Sequence, residues 1–166
     1  MPRLFILRHA KSAPSAHGIP DHDRPLAPRG RRALAAVATE IDSHRGGRPL
    51  DVVLCSTATR ARQTAAGVLA TVASREVRDD SRLYLADVEQ LLEVLAELPD
   101  DIATALVCGH NPGLHELALT LIGNDAAPAA LRQGLPTAGL VVVDLEPAWT
   151  SIGPGTATLI AFGPAD

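Results

Sequence analysis

Apolar positions fall into five short, dense runs separated by stretches of a different period. Arg3 to Leu7, Asp51 to Cys55, Ala105 to Cys108, Leu140 to Leu145 and Thr156 to Phe162 carry the continuous or alternating pattern of buried and half-buried strands. Between them the apolar spacing widens to that of helices. Leu34, Val37, Ala38 and Ile41 mark one face of a first helix, closed at its C-terminal end by Gly46 and Gly47. Ala61, Ala65, Val68, Leu69 and Val72 mark a second, with Ser56 as its start signal. A third follows Asp87, where Asp87 and Gln90 form a capping box and Val88, Leu91, Leu92 and Leu95 form one face. A fourth follows Asn111 as cap, with Pro112 in the first turn and Leu114, Leu117, Ala118 and Leu121 turned inward. This alternation predicts a three-layer α/β/α sandwich with a mostly parallel central sheet. The last two strands, with no helix between them, are expected to form an antiparallel edge. The long irregular stretch from Ser12 to Arg29 exceeds what a passive connection requires and is expected to cover a site.

Composition narrows the possibilities. A chain of 166 residues with 46% hydrophobic and 20% charged residues fits one folded domain spanning 1–166. Aromatic residues are only 2% of the chain, so there are almost no rings on which nucleic-acid bases could stack, and no nucleic-acid partner is expected. No apolar run approaches the roughly 20 residues of a membrane span. Arg8 interrupts the apolar start before it reaches the length of about 7 residues that a secretory leader needs. A cytoplasmic protein without membrane contact is the expectation. Cys55 and Cys108, with no Cys-x-x-Cys pair, read as free buried thiols. The net charge of −4 is unevenly spread: residues 1–63 hold eleven Lys/Arg against five Asp/Glu, and the remainder four against fourteen. A basic half in an acidic chain indicates a local anion site.

Ligands of open α/β sheets bind beyond the carboxyl ends of the strands. There the sequence places Arg8-His9-Ala10-Lys11-Ser12, Ser56 through Thr64, and Gly109-His110-Asn111-Pro112-Gly113. Guanidinium groups at Arg8 and Arg60 match phosphate oxygens and stay charged. His9 can attack phosphorus through one ring nitrogen while the other donates to a backbone carbonyl. A protonated His110 would join Arg8 and Arg60 around the equatorial oxygens. Helix starts at Ser56 and Asn111 would add backbone N–H groups. Each residue alone is also what a structural histidine or a solvated arginine looks like; their convergence on one rim is what points to phosphoryl chemistry. No nucleotide phosphate loop, dinucleotide fingerprint or His-Glu-x-x-His helix is present, and His110 and His115 are poorly spaced for one helix face, so neither metal nor cofactor is expected.

The segments Phe5 to Ser12, Asp23-Arg24-Pro25-Leu26, Cys55-Ser56 through Arg60-Ala61-Arg62-Gln63-Thr64, and Val107 to Pro112 resemble the histidine phosphatase superfamily. The fold implied is phosphoglycerate mutase-like, and the likeness is strongest to the small SixA-type phosphohistidine phosphatases. It runs from Leu4 to about Ile122, with weaker support at Pro136 to Gly139. The resemblance implies that His9 is the phosphorylated nucleophile, Arg8 and Arg60 are phosphate-pocket arginines, and His110 is the second pocket histidine. It also implies that Arg24 braces or contacts the phosphate. Ala10 stands where many members carry glycine, a change the small branch accepts. Larger members place an acid between the positions of Arg60 and His110. Here Asp87 and Glu89 are the candidates, each equally explained by helix capping and first-turn charge, with Asp23 as a further proton source. A departing imidazole, whose conjugate acid has a pKa near 6.5, can dispense with a dedicated acid where an alcohol cannot. Only 49 residues separate Arg60 from His110, too few for a large lid, so the pocket is expected to be open. A metal-independent phosphatase that works through a phosphohistidine intermediate and acts on protein phosphohistidine is the expectation. The alternatives are a phosphatase or mutase for small phosphoesters and a non-catalytic phosphoprotein-binding module. His17, His22 and His44 read as surface histidines.

Overall fold

The structure is a computed structural model that describes residues 1–146 and 148–164. The apolar runs form a six-stranded sheet from β1 (Arg3–Arg8), β2 (Val52–Ser56), β3 (Val77–Asp80), β4 (Thr104–Gly109), β5 (Leu140–Leu145) and β6 (Ala157–Gly163), in the spatial order β3-β2-β4-β1-β5-β6. β1 to β4 are mutually parallel, β5 runs antiparallel to β1, and β6 antiparallel to β5. The five strands expected from the sequence are present. β3 is the unexpected one: Val77, Arg78 and Asp79 are exposed, because an edge strand needs backbone partners on one side only and places little apolar surface in the core.

Helices α1 (Pro28–His44), α2 (Thr59–Leu69), α3 (Val88–Ala96), α4 (Gly113–Ile122) and the short α5 (Ala129–Gln133) cover the sheet. Because successive strand residues face opposite sides, Phe5, Leu7, Val53 and Leu106 pack under α1 and α2. Leu4, Ile6, Leu54 and Val107 pack under α3, α4 and α5. Leu34, Val37, Ala38 and Ile41 are the buried stripe of α1. Leu34, Val37 and Ile41 each contribute about 1.5–3 kcal/mol by leaving water. α1 and α2 approach so closely that a Cβ on Gly67 would stand 2.2 Å from Leu34 Cδ1. α2 stops at Leu69, short of Val72, which is buried in the turn beyond it. The capping box on Asp87 and Gln90 forms at the start of α3.

β1 and β4 are neighbours, yet the chain leaves β1 through α1 on one face and β4 through α4 on the other. This divergence opens a crevice at their carboxyl ends.

Candidate active site

Arg8 ends β1 and His9 follows it, His110 follows β4, Ser56 ends β2, and Arg60 lies in the first turn of α2. All converge on the crevice. The backbone of His9 is held from both sides: its N–H donates to Gly109 O at 3.0 Å and its carbonyl accepts from Ala138 N at 3.1 Å. The imidazole is oriented as firmly. His9 Nδ1 lies 2.8 Å from Ala10 O, a group that can only accept, so the proton is on Nδ1 and the Nε2 lone pair is free to accept from Arg60 Nε at 3.3 Å. His110 has the opposite tautomer. Its Nδ1 accepts from Arg60 Nη2 at 3.3 Å, which leaves Nε2–H to donate to Ser56 Oγ at 2.8 Å. The two rings are 5.2 Å apart between centroids. His9, Arg60 and His110 are exposed by only 7%, 3% and 3%, so their charges are felt in a poorly screened medium.

Arg60 therefore bridges both histidines. Its outer edge meets a residue the sequence reading passed over: Nη1 donates to Asp21 O at 2.8 Å and Nη2 to Asp21 Oδ2 at 3.1 Å. Asp21 sits on a single 3-10 turn, Asp21–Asp23, in the long stretch after β1. That stretch folds back on itself through Ala13 N to Pro25 O at 2.8 Å and Ala27 N to Lys11 O at 2.9 Å, and forms a strap across the crevice. Tyr84 OH donates to Asp21 Oδ2 at 2.6 Å and Arg24 Nε to Asp21 Oδ1 at 3.0 Å. The Tyr84 hydrogen bond, with Arg24 and Arg60 beside it, holds the Asp21 carboxyl down at about 2. Arg24 also reaches Ser12 Oγ and Ala13 O, so it braces the strap from within. The Tyr84 ring meets His110 edge-on at 5.4 Å, and His22, half-buried rather than on the open surface, packs on Tyr84 and bonds Thr57 Oγ1 at 2.8 Å. The strap and Tyr84 thus meet beside Arg60 and His110.

Burial, with smaller contributions from Arg60, Arg8 and Arg24, lowers the His9 pKa to about 4; the Ala10 hydrogen bond opposes it. Burial, then His9 and Arg60, lowers His110 to about 3. His110 is thus neutral near pH 7, because burial and the facing guanidinium outweigh the opposing pull of the Asp21 carboxylate, and the protonated form considered from the sequence would need added negative charge beside it.

Ser56 and Asn111 serve differently from the helix starts expected. α2 is capped at Ala58, and Ser56 Oγ accepts from Ala58 N at 3.2 Å as well as holding His110. α4 is capped at Pro112, after a cis Asn111–Pro112 bond, and Asn111 Nδ2 donates to Leu135 O at 2.8 Å. Arg8 Nη1 donates to the same carbonyl at 3.0 Å. Arg8 Nε and Asn111 Oδ1 are buried with no hydrogen-bond partner among the described residues, and both residues line a groove of about 400 Å³ with Gln133, Gly134 and Pro136. Asp87 is engaged in capping α3, Glu89 is exposed in its first turn, and Asp23 is exposed beside His22; none bonds to His9, Arg60 or His110. Among the described residues, no three His, Cys, Asp or Glu side chains are grouped to hold a metal ion. A neutral imidazole nitrogen aimed into guanidinium groups can attack an electrophile that carries anionic oxygens.

Residues 4–91 match the model of the histidine phosphatase superfamily, branch 1. An uncharacterized protein of Mycobacterium tuberculosis is 42% identical over 161 residues, covering 94% of this chain and 98% of its own. Two solved structures named as candidate SixA phosphohistidine phosphatases superpose closely. That from Agrobacterium tumefaciens has a TM-score of 0.81 at 31% identity, covering 99% of both chains. That from Nakamurella multipartitia has a TM-score of 0.80 at 31% identity, covering 98% of this chain and 95% of the other. With that fold, and with the imidazole and guanidinium groups meeting at its switch point, the chain belongs to branch 1 of the histidine phosphatase superfamily.

Proposed function

We propose that residues 1–166 form one phosphatase domain that needs no metal, works through a phosphohistidine on His9 and acts on protein phosphohistidine. The observation that carries this reading is the paired constraint on the His9 ring: Nδ1–H tied to Ala10 O, Nε2 unprotonated and facing Arg60. In the resting site Arg60 Nε occupies that lone pair. An incoming phosphoryl group offers Arg60 better acceptors in its oxygens, draws the guanidinium N–H groups to itself and frees Nε2 to attack. Arg8, whose Nε has no partner among the described residues, supplies a further donor. The Nε2–P bond forms as the P–N bond of the substrate breaks, and the departing imidazole takes up a proton from solvent. Water then attacks phosphorus, the His9–P bond breaks, and inorganic phosphate leaves with the water's proton. Charge on the phosphoryl oxygens restores the proton affinity of His110, which then donates to one of them. Arg24 positions the strap, Ser56 the His110 ring and Asn111 the Leu135 carbonyl that Arg8 also holds.

Among the described residues no carboxyl group bonds to His9, Arg60 or His110 except Asp21, which the Tyr84 hydrogen bond and the neighbouring arginines keep ionised and therefore unfit to donate a proton at neutral pH. Leaving-group basicity should then govern turnover. Rates on a phosphohistidine peptide, p-nitrophenyl phosphate and a phosphoserine peptide test this. The first two are expected to be hydrolysed at least about 100-fold faster than the third, the scale of a missing general acid. A preference for the phosphoserine ester overturns the substrate assignment, and release of no phosphate from any of the three would leave a phosphate-recognition module.

A further inference from the structure

Arginines away from the site are neutralised by carboxylates: the half-buried Arg45 by Asp42, and the exposed Arg75 by Asp51, Arg78 by Glu76, and Arg82 by Asp80 and Glu97. Four exposed cations beside the crevice are not. Lys11, Arg29, Arg31 and Arg32 have no carboxylate partner among the described residues, although the chain as a whole is acidic. Arg48, beyond the far end of α1, and Arg132, on α5, are isolated cases.

The four are tied to the site by structure. Lys11 lies two residues past His9, and its carbonyl is so near the first turn of α1 that a Cβ on Gly30 would stand 2.2 Å away. Arg31 reaches Gln63 Oε1 at 3.4 Å, and Gln63 is one turn along α2 from Arg60. Arg29 and Arg32, a turn apart, line a cavity of about 290 Å³ with Ala33, Val37 and Ala138, and Ala138 N–H is the donor to the His9 carbonyl. Neither His9 nor Arg60 lines this cavity, so an anion seated between Arg29 and Arg32 is not the phosphoryl group under attack.

We propose that this collar docks an acidic segment of the phosphorylated partner protein, so that carboxylates flanking the phosphohistidine lie along α1 while the phosphoryl group enters the crevice. The proposal rests on the reading of the site as a protein phosphohistidine phosphatase. Extended peptide covers about 3.3 Å per residue, so three or four residues carry a Glu from the crevice across one helix diameter of about 10 Å. Exposed pairs of this kind act on encounter and orientation more than on the chemical step, and salt weakens them.

The test uses three peptides of equal length, each with a central phosphohistidine flanked by Glu, Gln or Lys, and the same three carrying a stable phosphonate in its place. Binding of the phosphonates by fluorescence anisotropy, and turnover of the phosphohistidines, are measured at low and high salt on the wild type and on the double variant R29E/R32E. The Glu-flanked phosphonate is expected to bind about 10-fold tighter than the Lys-flanked one at low salt. That preference should disappear at high salt and reverse in the variant, with p-nitrophenyl phosphate turnover unchanged within about twofold. Equal binding of all three phosphonates, or an unaltered preference in the variant, overturns the collar whatever the enzyme turns over. Absence of phosphohistidine turnover alongside the binding preference would instead overturn the catalytic reading.

Discussion

His9 and His110 remain neutral for the same reason, burial against guanidinium groups, and to different ends. His9 must be unprotonated to attack, and its pKa of about 4 means that the competent form dominates at any pH above that value. The His9 resonance of the free enzyme, followed by NMR, is therefore expected to stay that of the neutral Nδ1–H tautomer down to about pH 5. Titration near the ordinary 6.5 would contradict the burial argument. The same shifts act on stability. Unfolded imidazoles take up protons that the folded site refuses, so stability is lost as pH falls from about 6.5 toward 4. These residues were legible in the sequence because each follows directly on an apolar run, where a strand's end can be located. Asp21 and Tyr84 were not. Asp21 lies in a stretch with no period to orient it, and only folding brings it to Arg60. The one available signal for Tyr84 was that it is the only tyrosine in a chain with 2% aromatics.

Between elements, close backbone approaches decide where the site residues stand. Gly30 is the clearest case, since a Cβ there would come within 2.2 Å of a carbonyl that already accepts from Ala27 N. Gly30→Ala is expected to push the Lys11 backbone off α1, at a cost of about 1–3 kcal/mol in stability, with a loss of turnover. Gly153→Ala, with nothing within 4 Å of the added Cβ, is the control and should change stability by less than about 0.5 kcal/mol. Thermal unfolding and kcat measured on both variants check this; equal behaviour of the two would contradict it. The buried stripes of α1, α3 and α4 were readable from their period because burial imposes it. The strand β3 and the roles of Ser56 and Asn111 were not. Val77 to Asp80 follow no apolar pattern, because their pairing is with backbone. A hydroxyl or amide at a strand end can cap a helix or hold a neighbour equally well, and the choice falls to the arrival of His110 or Leu135 from distant sequence.

Across the whole molecule, the division of charge seen along the sequence becomes a division of labour in space. The first 63 residues contribute β1, the strap, α1 and the start of α2, and with them the cations of the crevice and of the collar. The acidic remainder supplies Asp79, Glu76, Asp80 and Glu97, which neutralise arginines on the β3 side. It also supplies His110 and the antiparallel edge. The sandwich and its strand direction could be anticipated because βα alternation permits few arrangements. That the stretch from Ser12 to Arg29 would cover a site could be anticipated from its length, but the contacts that seat it, Asp21 with Arg60 and Tyr84, could not. The central claim is that phosphorus becomes bonded to His9, and rapid acid-free quenching of enzyme with phosphohistidine peptide, followed by mass spectrometry, tests it most directly. An acid-labile phosphate on the peptide containing His9, absent from a folded His9→Ala variant whose turnover has fallen at least about 10³-fold, is the expected result. Phosphate release at the wild-type rate from that variant, or no phosphate on His9 during turnover, would contradict it.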